Sequence, residues 1–468
     1  MGITTNPLPV TNTTGPAQPS RSRSSVVLGL LAYALILSVG FIIYLLTHSM
    51  VAAGVPLLIG FIAAMLRVGI KTSIGIFLLL MPLQWLVITL IHYFGVSQYQ
   101  LISATKEMII VAAILWLLYS SPRVLIVLPD ILLVLILFVI LFLQIFHMDF
   151  LGLRDDWEWL LLYMLGRLLV LQPVDDSLWA KCAVWMCAAL AIVGIWEVEF
   201  LGSGPRVLLL QLSQGDTKLP NPFLAQGYDG FRAASTMDSP LAFSALCMVA
   251  LMLWWTYMKN PIPALIIGAG LAFTLTRSAA AMAVLGCLVI GLRRKELVRI
   301  AVAVVIAVLG FLAAIPILNL SKYLDASFIS RTDASEQFHR VSLIEGYQVM
   351  LDNPLGSGAG TYGPRQWQNN RGKLDIEDSY LTIAAEYGVI TGLLYVSFVV
   401  SCLVILIKLH EPLGYVAFSI LLGYALLLAQ GDLHLSVPVA CWVWVPVGMA
   451  INRAAETSCT RSVPFAIR

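Results

Sequence analysis

Charge is what this chain has least of. Only 12% of its 468 residues are Asp, Glu, Lys or Arg, 59% are hydrophobic, and the mean hydropathy is +0.89. A soluble globular chain carries about 25% charged residues. The scarcity excludes that class and predicts an all-α polytopic transmembrane bundle of about 12–14 helices. Neither sign of charge dominates: the net charge is +2, the basic residues follow membrane topology, and no nucleic-acid partner is expected. Cysteine is missing from the polar loops. Cys182, Cys187, Cys247, Cys287, Cys402 and Cys441 lie in apolar runs and Cys459 in the terminal tail, none at metal-ligand spacing with a histidine. No disulfide framework, metal site or nucleotide-sugar motif is therefore expected, and no cofactor. There is no internal repeat of the kind many transporters carry. The first 25 residues are rich in Thr, Pro, Ser and Asn, lack the layout of a cleaved signal, and read as a disordered tail.

What is present is a series of apolar runs. They begin near Val26, Val51, Thr72, Leu101, Val124, Trp159, Trp179, Pro240, Pro261, Ser278, Arg299, Tyr380, Leu413 and Val437, about fourteen crossings if a span needs about 20 residues. Both termini then share a side with Arg67, Lys71, Arg123, Lys181, Lys259, Arg293, Arg294, Lys295, Arg299, Lys408 and Arg453. By the positive-inside bias that side is the cytoplasm. One segment decides the parity: a single helix over 262–292 would export the Arg293–Arg299 cluster. A hairpin turning at Thr274–Ser278 is preferred, with Arg277 at the opposite face. The layout is 1–25 cytoplasmic tail, 26–200 transmembrane helices, 201–239 first long loop, 240–318 transmembrane helices with the hairpin, 319–379 large loop, 380–452 transmembrane helices and 453–468 cytoplasmic tail.

The polar islands carry the candidate chemistry. A helix is predicted from about Ser335 to Leu351, capped by Ser335 or Asp333 and stopped by Asp352-Asn353-Pro354. It sets Arg340, Ile344, Tyr347 and Leu351 on one face. Two readings of Arg340 stay open: a snorkelling arginine held by Glu336, or one aimed at an anion between loop and membrane. The Gly356-Ser357-Gly358-Ala359-Gly360 run is a turn, or a nest of amides for an oxyanion. Glu377 and Asp378 precede a helix starting near Ser379, as N-cap or as functional carboxylates. Arg232 leads into the run at Pro240, and Arg154 is a loop candidate beside Asp155 and Asp156. His434 is a lone histidine able to act as a base, while His92 and His147 say little.

Together these residues resemble the O-antigen ligase and O-antigen polymerase superfamily. The resemblance rests on Arg340, on Asp352-Asn-Pro-Leu-Gly-Ser-Gly-Ala-Gly360, on Asp378-Ser-Tyr-Leu381 and on Glu386-Tyr-Gly-Val-Ile-Thr-Gly392. The Phe231–Pro240 and Thr274–Ser278 elements resemble the family's other arginine-bearing motifs. It covers roughly residues 231–392. It implies a metal-independent glycosyltransferase acting on undecaprenyl-diphosphate-linked glycan at the periplasmic face of the bacterial inner membrane, with a glycan acceptor and membrane lipid as partners, alongside a flippase and a chain-length regulator. Arginines matching Arg232 and Arg277 hold the lipid diphosphate in that family, with one matching Arg340 nearby. Gly358 and Tyr380 join them as substrate-binding candidates, and Asp378 and Glu377 are the catalytic candidates, with Glu386 behind them. Lipid A core ligases usually carry His-Asn where this chain has Asp378-Ser379. That departure favours a polymerase of exopolysaccharide or O-antigen over the alternative, a ligase. The rival from another class is a polytopic transporter.

Overall fold

The computed structural model describes residues 69–87, 99–120, 125–147, 150–202, 232–301, 334–362, 376–431 and 433–461. The expected crossings near Val26 and Val51 lie outside them, as does most of both long loops. The chain divides into two compact units, residues 1–76 and 77–468; the first contributes only 69–76 to the described residues. Every regular element among these residues is helical, as the composition predicts.

The helices are α1 (Ile70–Leu80), α2 (Tyr99–Ser120), α3 (Leu128–His147), α4 (Phe150–Leu168), α5 (Pro173–Trp196), α6 (Pro240–Tyr257), α7 (Ile262–Phe273), α8 (Arg277–Arg293), α9 (Ala334–Asp352), α10 (Ser379–Tyr387), α11 (Val389–Ile407), α12 (Pro412–Leu428) and α13 (Val437–Arg461). Segments Pro173–Leu201, Pro240–Tyr257, Val389–Ile407 and Val437–Ser458 are long and apolar enough to cross a membrane. Large apolar side chains such as Leu115, Phe138, Ile192, Leu265 and Leu393 face outward. A surface of that kind suits lipid and not water. The chain is an integral membrane protein.

Helix α6 is the centre of one half of the bundle. It is buried without interruption from Ala242 to Ala250, with α5, α7, α8 and α12 packed around it. The other half is built on the α4–α13 crossing, where Gly166 meets Gly448. A Cβ on Gly448 would lie 2.5 Å from the Tyr163 carbonyl oxygen, so the absent side chain is what lets the backbones approach. Beside the crossing, Trp159 stacks at centroid distances of 5.0 Å on Trp444, 5.1 Å on Tyr395 and 5.4 Å on Phe398. All four rings are fully buried, and packing of such large rings, not any hydrophobic gain over lipid, holds this half together.

The preferred hairpin at 274–278 is present. Ala233, just before α6, donates to Phe273 at the end of α7 (3.0 Å). At the far end of α6, Arg294 after α8 donates to Thr256 (2.7 Å). Helices α7 and α8 therefore run in opposite directions past α6. Two expectations are corrected. Helix α4 starts at Phe150 and not near Trp159, so Arg154 lies on a helix and not in a loop; an apolar run ends at charged residues, but a helical backbone does not. The helix expected from Tyr380 onward is broken at Gly388, whose φ is +87°. The Gly356 turn fills the break: Ser357 and Gly358 donate to the carbonyls of Ala385 and Glu386 (2.9 and 3.0 Å), and Val389 donates to Pro354 (3.0 Å).

Candidate functional site

One end of the bundle gathers the polar islands. The segment before α6 is pinned from behind by Glu197, a buried carboxylate in the single π turn ending α5. Its Oε2 accepts from the amides of Ser235 (2.9 Å) and Ala234 (3.3 Å). Ser235 takes the left-handed φ of +53° and its hydroxyl donates to Leu190 (2.7 Å), while Thr236 donates to Pro82 (2.8 Å). Strain of this kind persists only where the surroundings fix it. It turns Arg232 onto the α7–α8 turn: Nε donates to the Thr274 carbonyl and Nη2 to Thr276 Oγ1, both at 2.8 Å. The next residue, Arg277, is exposed at the head of α8. Arg232 and the turn bearing Arg277 are thus brought together.

The acidic element is assembled on α9. That helix presents His339, Ser342 and Gly346 on one face, spaced i, i+3 and i+7. A Cβ on Gly346 would meet Ile376 at 3.0 Å, the Glu377 amide donates to Ser342 Oγ (2.8 Å), and His339 Nδ1 lies 3.4 Å from Glu377 Oε2. Asp378 is the N-cap of α10, its Oδ1 accepting from the Leu381 amide (2.9 Å). Burial pushes its carboxyl above the usual range, opposed by the amides of Leu381 and Tyr380 and by His339. Arg340 shares its face with Ile344, Tyr347 and Leu351 as expected, and all four are exposed.

Other candidates are engaged by the fold. The Gly358 amide donates to Glu386, and those of Gly356 and Ser357 are likewise bonded to backbone carbonyls, which removes these three amides from an oxyanion nest. Tyr380 donates its hydroxyl to Ala425 (2.8 Å) and packs on Tyr395. Buried Glu386 accepts from the Tyr362 amide (2.8 Å). Buried Ser379 donates to Gly431 (2.6 Å), so its oxygen accepts from His434 Nδ1 (3.0 Å), fixing that imidazole with its proton on Nδ1. Gly431 in turn packs on Leu241 at the head of α6. The chain Leu241, Gly431, Ser379 joins the arginine segment to the acidic element at the same end of the bundle.

Sequence reasoning missed Glu197 and His339. Glu197 stands at the edge of an apolar run, where a lone carboxylate at a membrane face was a signal in itself. His339 adjoins Arg340, and only helical phase against the distant Glu377 could have singled it out.

Residues 262–396 match the family model described as O-antigen ligase. The match opens at α7, spans the Arg277 turn, α9, the glycine turn and the acidic element, and closes within α11; Arg232 lies before it. No curated protein matches the chain. The match indicates a membrane glycan enzyme of the ligase or polymerase type, and it bears out the resemblance read from the motifs. Over residues 262–396, this helical membrane protein is similar to the O-antigen ligase family.

Proposed function

We propose that the protein polymerises oligosaccharide repeat units carried on undecaprenyl diphosphate, at the periplasmic face of the inner membrane. The observation that carries this reading is the tie between Arg232 and the turn bearing Arg277. It supports a two-arginine cradle for the lipid diphosphate at the N-terminus of α8, where helix amides also favour an anion. Arg340 on α9 is a third cation for the same donor. The acceptor hydroxyl oxygen attacks the anomeric carbon. The bond from that carbon to the diphosphate breaks, and its electron pair leaves with the lipid diphosphate. Arginines aimed at that developing charge stabilise the transition state in the manner of an oxyanion hole, so the transfer is read as metal-independent. The hydroxyl proton passes to a base at the acidic element that holds Glu377 and Asp378.

The basic end of the bundle is then cytoplasmic, with both termini, and the large loops are periplasmic. Asp378-Ser379 in place of the ligases' His-Asn supports polymerase over ligase. The test uses purified full-length protein in nanodiscs. Lipid-linked repeat units from cells lacking the protein are supplied with and without lipid A core, and a vesicle assay follows solute flux. Elongation to long glycan is expected. Transfer to lipid A core instead would make it a ligase, and flux without elongation would make it a transporter.

A further inference from the structure

Resting on that reading, the geometry assigns the proton acceptor of the transfer to a dyad of Glu377 and His339. Of the two carboxylates in the acidic element, Asp378 is buried and has Oδ1 committed to the Leu381 amide as the cap of α10. Glu377 is the accessible one, its side chain 36% exposed, and it faces an imidazole that is also open to solvent: His339, 29% exposed, has Nδ1 3.4 Å from Glu377 Oε2. Both partners are fixed by backbone. Ser342, one turn after His339 on the same face of α9, accepts the Glu377 amide (2.8 Å), and Gly346 lets Ile376 close on the helix.

A carboxylate on Nδ1 holds the neutral imidazole with its proton on that nitrogen and Nε2 as the base; it then stabilises the imidazolium that forms. The separation of 3.4 Å is long for a hydrogen bond, and bonds of this kind tighten when substrate arrives. In the transfer, the acceptor O–H bond breaks as the oxygen bonds to the anomeric carbon. The proton moves to His339 Nε2 and the electron pair of the cleaved bond leaves on the lipid diphosphate. The imidazolium returns its proton to solvent, to which His339 is open. The charged groups around it are Glu377 and Asp378 from the facing segment and Arg340 on its own helix.

The test measures elongation of extracted lipid-linked repeat units by the full-length protein and its variants. His339→Gln is expected to lower kcat by about 10²- to 10⁴-fold, the span of general base catalysis, with the donor KM unchanged. Glu377→Gln is expected to lose less, and the double variant no more than His339→Gln, because the two act as a unit. Added imidazole should restore part of the activity of His339→Ala, which a purely structural histidine would not allow. His339→Gln turning over at the wild-type rate overturns the dyad. If Arg277→Ala is inactive in the same assay, the polymerase reading survives that failure. A wild-type protein that leaves the donor unelongated overturns the reading and the dyad together.

Discussion

The two ends of the bundle use arginine in opposite ways. At the basic end, arginines are absorbed into the fold. Arg167, 3% exposed, bonds Asp130, Asn452 and the Leu125 carbonyl. Arg453 pairs with Asp176 at 2.6 Å and reaches Glu411 at 3.6 Å and Leu171. Arg299 caps Trp255 and Met258 while stacking 4.6 Å over the Trp255 ring, and Arg293 bonds the Ile407 carbonyl. At the other end Arg277 and Arg340 are exposed and Arg232 is half-buried, oriented by a neutral carbonyl and a neutral hydroxyl. Arginine at one end is tied to carboxylates and to carbonyls at helix ends; at the other, two of the three side chains are open to solvent. The residue type is the same, and burial sets the two ends apart; under the proposed function the exposed set is the one that meets the donor.

That contrast is open to direct attack. The largest effect expected is at the basic end: Arg167→Ala strands Asp130 and Asn452 in a buried network and should cost about 3–5 kcal/mol, read by thermal unfolding in detergent, with activity per folded molecule retained. At the opposite end, Arg277→Ala should leave unfolding unchanged yet lower elongation about 10²- to 10³-fold. Lysine rescues only partly, since it keeps the charge but loses the planar fork. If Arg277→Ala instead unfolds the protein, the two ends are alike and the contrast is void. Between the ends, Gly448→Ala drives a methyl group against the Tyr163 carbonyl and should destabilise by about 1–3 kcal/mol, without touching the donor KM.

The smallest effect concerns Asp378. Burial raises its pKa in the folded protein above that of the unfolded chain. The resulting stabilisation is fully present below the unfolded-state value and is lost as pH rises through the folded-state one. Asparagine caps as well as aspartate. Asp378→Asn should therefore be slightly more stable than wild type at neutral pH, by no more than about 1 kcal/mol, the margin closing on acidification in a pH series of melting curves. Loss of elongation by 10²-fold or more in this stable variant would move the base from the His339 dyad to Asp378.

Much of this was legible in the sequence. Counting Lys and Arg resolved the hairpin, because a single helix over 262–292 would have exported a basic cluster now seen closing α6, α8 and α11. The helix expected over 335–351 appears as Ala334–Asp352, its stop written in Asn353-Pro354. Pairings across long separations were not legible. Glu197 reads as a stray charge until the 232–236 segment folds over it. His339 reads as one more polar residue of the expected helix until α9 meets Glu377. Local propensity also hid the break at Gly388, since glycine near the start of an apolar run looks like an ordinary helix residue until its φ is known.

That break has a consequence for biogenesis. The last carbonyls of α10 and the first amide of α11 are satisfied by residues 354–358 and not by the helix itself. An unsatisfied backbone group costs several kcal/mol in hydrocarbon, so the α10–α11 pair is a poor insertion substrate by itself. The segment that completes it is synthesised first, and the nascent chain matures from its N-terminal side. With the large loop periplasmic, as proposed, residues 354–358 have to cross the bilayer before the break at Gly388 can be completed, which makes translocation of that loop a precondition for seating α11.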